Sequence, residues 1–159
     1  MSRIKEFVEE LQCIHNGDAW HGSSLCASLA GITAAEAGAS PIPGAHTIWE
    51  LVAHVTAWED VWRRRIEGAQ VNEPEEGDFP RTPAPTTEAW GQTLAHLNRV
   101  HEEFLRVIAA LPETALKQTV PGKPYTTEFM LEGAVRHHVY HAGQVALLKN
   151  YLHSSSATE

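Results

Sequence analysis

His137 and His141 stand four residues apart in the segment Ala134-Val135-Arg136-His137-His138-Val139-Tyr140-His141-Ala142-Gly143-Gln144. On a helix, residues at that spacing project from one face, one turn apart. Two imidazoles so placed can offer two nitrogen ligands to one metal ion. A third histidine, His54, lies far upstream on the apolar face of another helical stretch, between Leu51 and Trp58. Three neutral imidazoles converging from two helices would leave one or more coordination positions open to water or substrate. Without a metal the same residues can form a hydrogen-bonded pair or line a watery pocket. Gln144 continues the polar face, and buried polar groups left unpaired cost about 1–3 kcal/mol each.

The other seven histidines are weaker candidates. His15, His46, His96 and His153 fall near helix ends or off the apolar stripes and read as surface residues. His138 lies about 100° around the helix from His137, so it cannot readily share its ligand direction. His101 interrupts an apolar stripe but has no histidine four residues away, and ranks below the three. Trp49, Trp58, Trp62 and Trp90 read as core or dimer-interface residues. Trp20-His21-Gly22 follows a possible kink and either packs or points at the pocket. Arg63-Arg64-Arg65 reads as a solvated face paired at i,i+4, and less readily as an anchor for an anionic substrate. Glu59 and Glu132 lie on the right helices, but their spacing takes them off the ligand face. No catalytic residue beyond the ligands can be named.

These residues need helices to hold them, and helical periodicity dominates the chain. A first stretch carries Ile4, Phe7, Val8, Leu11 and Ile14, meets Asn16-Gly17-Asp18, where a kink is expected, and resumes through Leu25, Leu29 and Ile32. Thr33-Ala34-Ala35-Glu36 is a capping box for a short extra turn, and Pro41-Ile42-Pro43-Gly44 is a loop. Thr47-Ile48-Trp49-Glu50 is a second capping box, opening a helix that runs to about Glu67, with Gly68 as its stop. The polar segment from Ala69 to Thr86 contains Pro74, Pro80, Pro83 and Pro85 and is a long loop of the kind that is often functional. A helix from Thr86 or Thr87 carries Trp90, Leu94, Leu97, His101, Phe104, Ile108 and Leu111. After Pro112 and Pro121-Gly122-Lys123-Pro124, Thr126 or Thr127 caps a last helix through Leu152, and the tail Ser154–Glu159 frays. The expected fold is all-α, a four-helix bundle of up-down type with one long connection, in a single domain over residues 1–159.

Composition narrows the function. A chain of 159 residues with 43% apolar and 20% charged residues can bury a proper core. Its formal net charge of −8 argues against a nucleic-acid or anionic-membrane partner. Cys13 and Cys26 form no CxxC pair. Along one continuous helix they would stand about 20 Å apart, beyond disulfide reach, which suits reduced thiols in a cytoplasmic protein. Neither a signal peptide nor a run long enough to span a bilayer is expected.

Ile48-Trp49-Glu50-Leu51-Val52-Ala53-His54-Val55-Thr56-Ala57-Trp58 and His137-His138-Val139-Tyr140-His141-Ala142-Gly143-Gln144-Val145-Ala146-Leu147-Leu148 resemble the DinB/YfiT-like family of metal-binding four-helix bundles. That family typically shows one histidine in the second helix and an HxxxH followed by Gly-Gln in the last. The resemblance implies that His54, His137 and His141 hold a divalent ion such as zinc or nickel, with waters completing the shell. His138 departs from relatives in which that position is often acidic, so it either adds a titratable group near the site or decorates the surface. Relatives include thiol-dependent S-transferases, a maleylpyruvate isomerase and metal-dependent hydrolases. The resemblance therefore implies a metal-dependent enzyme acting on a small molecule, with a low-molecular-weight thiol as one candidate partner. It also implies a homodimer, for which the tryptophan-rich second helix would serve. The competing expectation is a non-catalytic metal- or ligand-binding stress-response module whose metal is structural or holds a ligand.

Overall fold

The computed structural model describes residues 2–156. Its helices are α1 (Arg3–Asn16), α2 (Leu25–Leu29), α3 (Ala34–Gly38), α4 (Ile48–Ile66), α5 (Thr87–Ala109) and α6 (Thr127–Ser156), with a short 3-10 helix, Glu113–Lys117, between the last two. No strand occurs among the described residues, so the fold is all-α. No helix among them is long and apolar enough to cross a membrane.

Hydroxyl side chains start these helices by accepting otherwise unpaired backbone N–H groups. Ser2, Ser24, Thr33, Thr47 and Thr86 cap α1 to α5, and full capping boxes form at Thr33/Glu36 and Thr47/Glu50. Thr126 accepts from the Phe129 N–H near the start of α6. Gly68 ends α4 with φ 98°, a conformation open to glycine at little cost.

The first helix does not resume after a bend. It stops at Asn16, and residues 17–24 are non-helical before the short α2. A Cβ at Gly17 would lie 2.8 Å from the Cys13 Cα, so glycine permits a turn that other residues would obstruct. The continuous-helix spacing of Cys13 and Cys26 therefore does not apply, although both thiols are free. At the other end α6 extends to Ser156, past the expected start of fraying at Ser154. Residues 157–159 of the expected tail lie outside the described residues.

Four long helices, α1, α4, α5 and α6, pack against one another, and their directions follow from their partners. Arg3 at the start of α1 pairs with Glu128 and Glu132 at the start of α6, so these two run the same way. Trp49 donates to Thr93, Glu59 meets His101, and Arg63 approaches Glu103, so α4 and α5 also share a direction. This corrects the up-down expectation, in which each helix would reverse the last. The chain crosses back between α4 and α5 through the long 67–86 connection.

The buried apolar residues form two clusters. One holds Ile4, Phe7, Trp62, Phe104, Ile108 and Leu131; the other holds Leu25, Trp49, Val52, Leu97, Ala142 and Val145. On α4 the clusters are separated around Val55–Val61, on α5 around Leu97–Phe104, and on α6 around Val139–Ala142. His54 and Glu59, His101, and His137, His138 and His141 stand at or beside these three crossings. The candidate chemistry thus occupies a polar layer between two greasy ends. Trp49, Trp62 and Trp90 are buried within the chain's own core, which leaves little of α4's tryptophan surface for a dimer interface.

Candidate metal centre

His54 is presented by α4, and His137 and His141 by consecutive turns of α6. One ring nitrogen from each lies within 4.8 Å of the other two. His54 and His141 are buried and His137 is half-buried. The His54 Nε2 and His137 Nε2 atoms are 2.8 Å apart.

Neighbouring acceptors set the tautomers. His54 Nδ1 lies 2.6 Å from the Asp78 carbonyl oxygen, and His141 Nδ1 lies 2.6 Å from Gln144 Oε1. Each oxygen accepts, so each Nδ1 carries its proton and a neutral ring keeps its Nε2 lone pair free. Orientation of this kind is how surroundings prepare histidines for a metal. His137 Nδ1 is buried with no hydrogen-bond partner.

Electrostatics also favour neutral rings. Burial, with the charges of His141 and its neighbours, lowers the His137 pKa to about 2. Burial lowers His141 to about 4, against the opposing hydrogen bond it donates to Gln144. Three imidazole nitrogens and no carboxylate suit a borderline transition ion and suit magnesium or calcium poorly. The residues present fit such a group.

The long loop closes over this site. Phe79 stacks on His54 at 4.2 Å between ring centroids, and His46 stacks on the other side of Phe79 at 3.5 Å. Asp78 accepts from Trp58 Nε1 at 2.7 Å, and its carboxylate lies 3.4 Å from His54 Nδ1. Spacing alone did not identify Asp78, Phe79 or His46 as neighbours of the site, although the proline-rich loop marked the segment. The same loop roofs a cavity of about 450 Å³ lined by Thr56, Asp60, Arg64, Arg81 and Thr93, among others, which none of the three histidines lines.

Several secondary candidates move. His15 is 2% exposed rather than a surface residue. Its ring stacks on His101 at 3.8 Å and its Nε2 lies 2.8 Å from Asn98 Oδ1. His138 is fully buried, so it does not decorate the surface; it faces Glu59, which is buried equally. Burial raises the Glu59 pKa, but His138 and His101 outweigh it and hold the carboxyl well below its ordinary value. Burial lowers His138, and Glu59 more than reverses this. Trp20 is fully exposed and reaches no pocket. Arg65 is buried and donates to the Val71 and Asn72 carbonyls, which removes it from the solvated arginine face. Arg63 and Arg64 do pair with Asp60, Glu67 and Glu75. Glu132 pairs with Arg3 and Arg136, away from the histidines. His46, His96 and His153 are exposed.

The sequence profile of the DinB superfamily matches residues 19–145. This span contains α2 to α5 and most of α6, with all three histidines. Comparisons with curated proteins and with solved structures gave no significant match. The chain belongs to the DinB superfamily.

Proposed function

For this DinB-superfamily chain we propose a divalent-metal-dependent enzyme of the thiol-dependent S-transferase or hydrolase type, with His54, His137 and His141 holding zinc or nickel. The observation that carries the reading is the convergence of three ring nitrogens, two with tautomers set by Asp78 and Gln144. A three-histidine set leaves coordination positions for a reactant. When bound there, the ion supplies Lewis acidity that lowers the pKa of a water or thiol toward neutrality. The protein's own part is to keep His137 and His141 neutral, orient His54 and His141 and shield His54 with Phe79. We take the four long helices as a bundle in one domain, with its two inner helices parallel.

The test is metal content followed by turnover. Protein loaded with zinc or nickel is assayed against thiol-conjugate and ester substrates. The expected result is one ion bound per three-histidine site and turnover that disappears in His141→Ala. A fully metal-loaded protein inactive across both substrate classes would count against the enzyme.

The placement of the ligands on two helices supports a second reading, in which the ion mainly ties α4 to α6. That structural role predicts a large fall in Tm on chelation. The catalytic role predicts a small one.

We also propose that the chain forms a homodimer in the cytoplasm. Of its exposed large apolar residues, Phe129, Tyr140, Leu147 and Tyr151 all belong to α6. Tyr140, Leu147 and Tyr151 recur along one helical face. Sedimentation of wild type as a dimer and of Leu147→Glu as a monomer would support this assignment; a monomeric wild type would remove it.

A further inference from the structure

Glu59 from α4, His101 from α5 and His138 from α6 meet in the core. One possible ligand atom of each lies within 4.8 Å of the others. All three are at most 1% exposed. His101 Nδ1 and His138 Nε2 approach the same carboxylate oxygen, at 2.6 and 3.0 Å. His138 Nδ1 lies 3.0 Å from the Ala134 carbonyl oxygen and donates to it, which leaves Nε2 facing Glu59.

We propose that Glu59, His101 and His138 form a second metal site, closed to solvent and suited to zinc, that ties α4, α5 and α6 together. Two nitrogens and a carboxylate are a zinc donor set, and a bidentate Glu59 makes it four-coordinate. A protonated His138 beside Glu59 is the simpler rival. It satisfies the charge balance but fits the geometry less well. Despite the 3.0 Å separation, His138 Nε2 makes no directed hydrogen bond, and Glu59 Oε2 is left with no partner. A proton serves only atoms along its own bond direction. A cation on the Nε2 lone-pair line can still bind Oε1 and Oε2, which lie off that line, and the backbone acceptor at Ala134 is the type of support seen behind metal-bound histidines. The 2.6 Å His101–Glu59 contact is that of a charge-assisted hydrogen bond. Zinc must therefore displace the Nδ1 proton and open that pair slightly.

This site does not depend on the three-histidine reading, and the experiment separates them. Wild type, His54→Ala/His141→Ala and Glu59→Gln are loaded with zinc, desalted through a weak chelator and analysed by mass spectrometry for zinc per chain. Wild type should hold two ions, and each variant one. A folded His54→Ala/His141→Ala protein with no zinc overturns the second site, as does a Glu59→Gln protein that still holds two. A wild type holding one ion, lost in Glu59→Gln and kept in the double variant, supports the second site and removes the first. If a variant fails to fold, wild type loaded with cadmium-113 decides by NMR: a resonance coupled to the His101 and His138 ring protons is expected, and its absence from fully loaded protein sinks the proposal.

Discussion

At the scale of single residues, the side chain behind a proposed ligand matters as much as the histidine itself. Gln144 accepts the His141 Nδ1 proton at 2.6 Å and thereby aims the opposite nitrogen toward His54 and His137. Gln144→Leu keeps similar bulk and removes the acceptor. Loss of such a partner typically costs 10- to 100-fold in metal affinity, so zinc competition titration should show a drop of about that size with the helix content unchanged. Unaltered affinity would mean that the ring is held by packing alone. The convergence of His54, His137 and His141 was legible because polar residues on a core face need a reason, and HxxxH with His54 supplied one. Asp78, Phe79 and Glu59 were harder. The first two act from a loop that has no periodicity, and Phe79 reaches His54 only because the chain folds back across α4. Glu59 and His138 each looked off-site for the same geometrical reason: they share a second direction, visible only once α5 brings His101 to the same carboxylate oxygen.

At the scale of elements, α4 carries both His54 and Glu59, and its start is fixed by the Thr47/Glu50 capping box. Thr47→Ala removes the side-chain acceptor for the Glu50 N–H, a loss worth about 1 kcal/mol. For a chain of this size, that lowers Tm by about 2–4 °C, measurable by thermal unfolding of the metal-free protein. An unchanged Tm would show that α4 is held by its packed face and not by its cap. Capping boxes and apolar stripes are local signals, which is why α3, α4, α5 and the start of α6 were legible nearly to the residue. The end of α1 was not. Leu25, Leu29 and Ile32 keep a helical rhythm across the break, and periodicity cannot distinguish one bent helix from two short ones. The same local signals say nothing of direction, so the parallel run of α4 and α5 emerged only from pairs distant in sequence, such as Trp49 with Thr93.

At the scale of the whole molecule, stability couples to pH through the polar layer between the apolar clusters. His15 shows this most simply. Burial, reinforced by His101, lowers its pKa from 6.5 to about 4, against the hydrogen bond to Asn98. A histidine with a depressed folded-state pKa contributes stability above its unfolded pKa and loses that contribution as pH falls toward the folded value. The window is therefore pH 6.5 down to about 4, with acid destabilising. A shift of this size corresponds to at most about 3 kcal/mol. Glu59 is also depressed, and its contribution is lost lower, as pH falls from 4.5 to about 2. Urea unfolding of chelator-treated wild type and His15→Gln at pH 7, 5.5 and 4 separates His15 from the rest. Any deficit of the variant at pH 7 should shrink, or reverse, by pH 4, because glutamine takes up no proton. Parallel stability curves for the two proteins across this range would show that His15 is hydrated and titrates normally, contrary to its burial against His101.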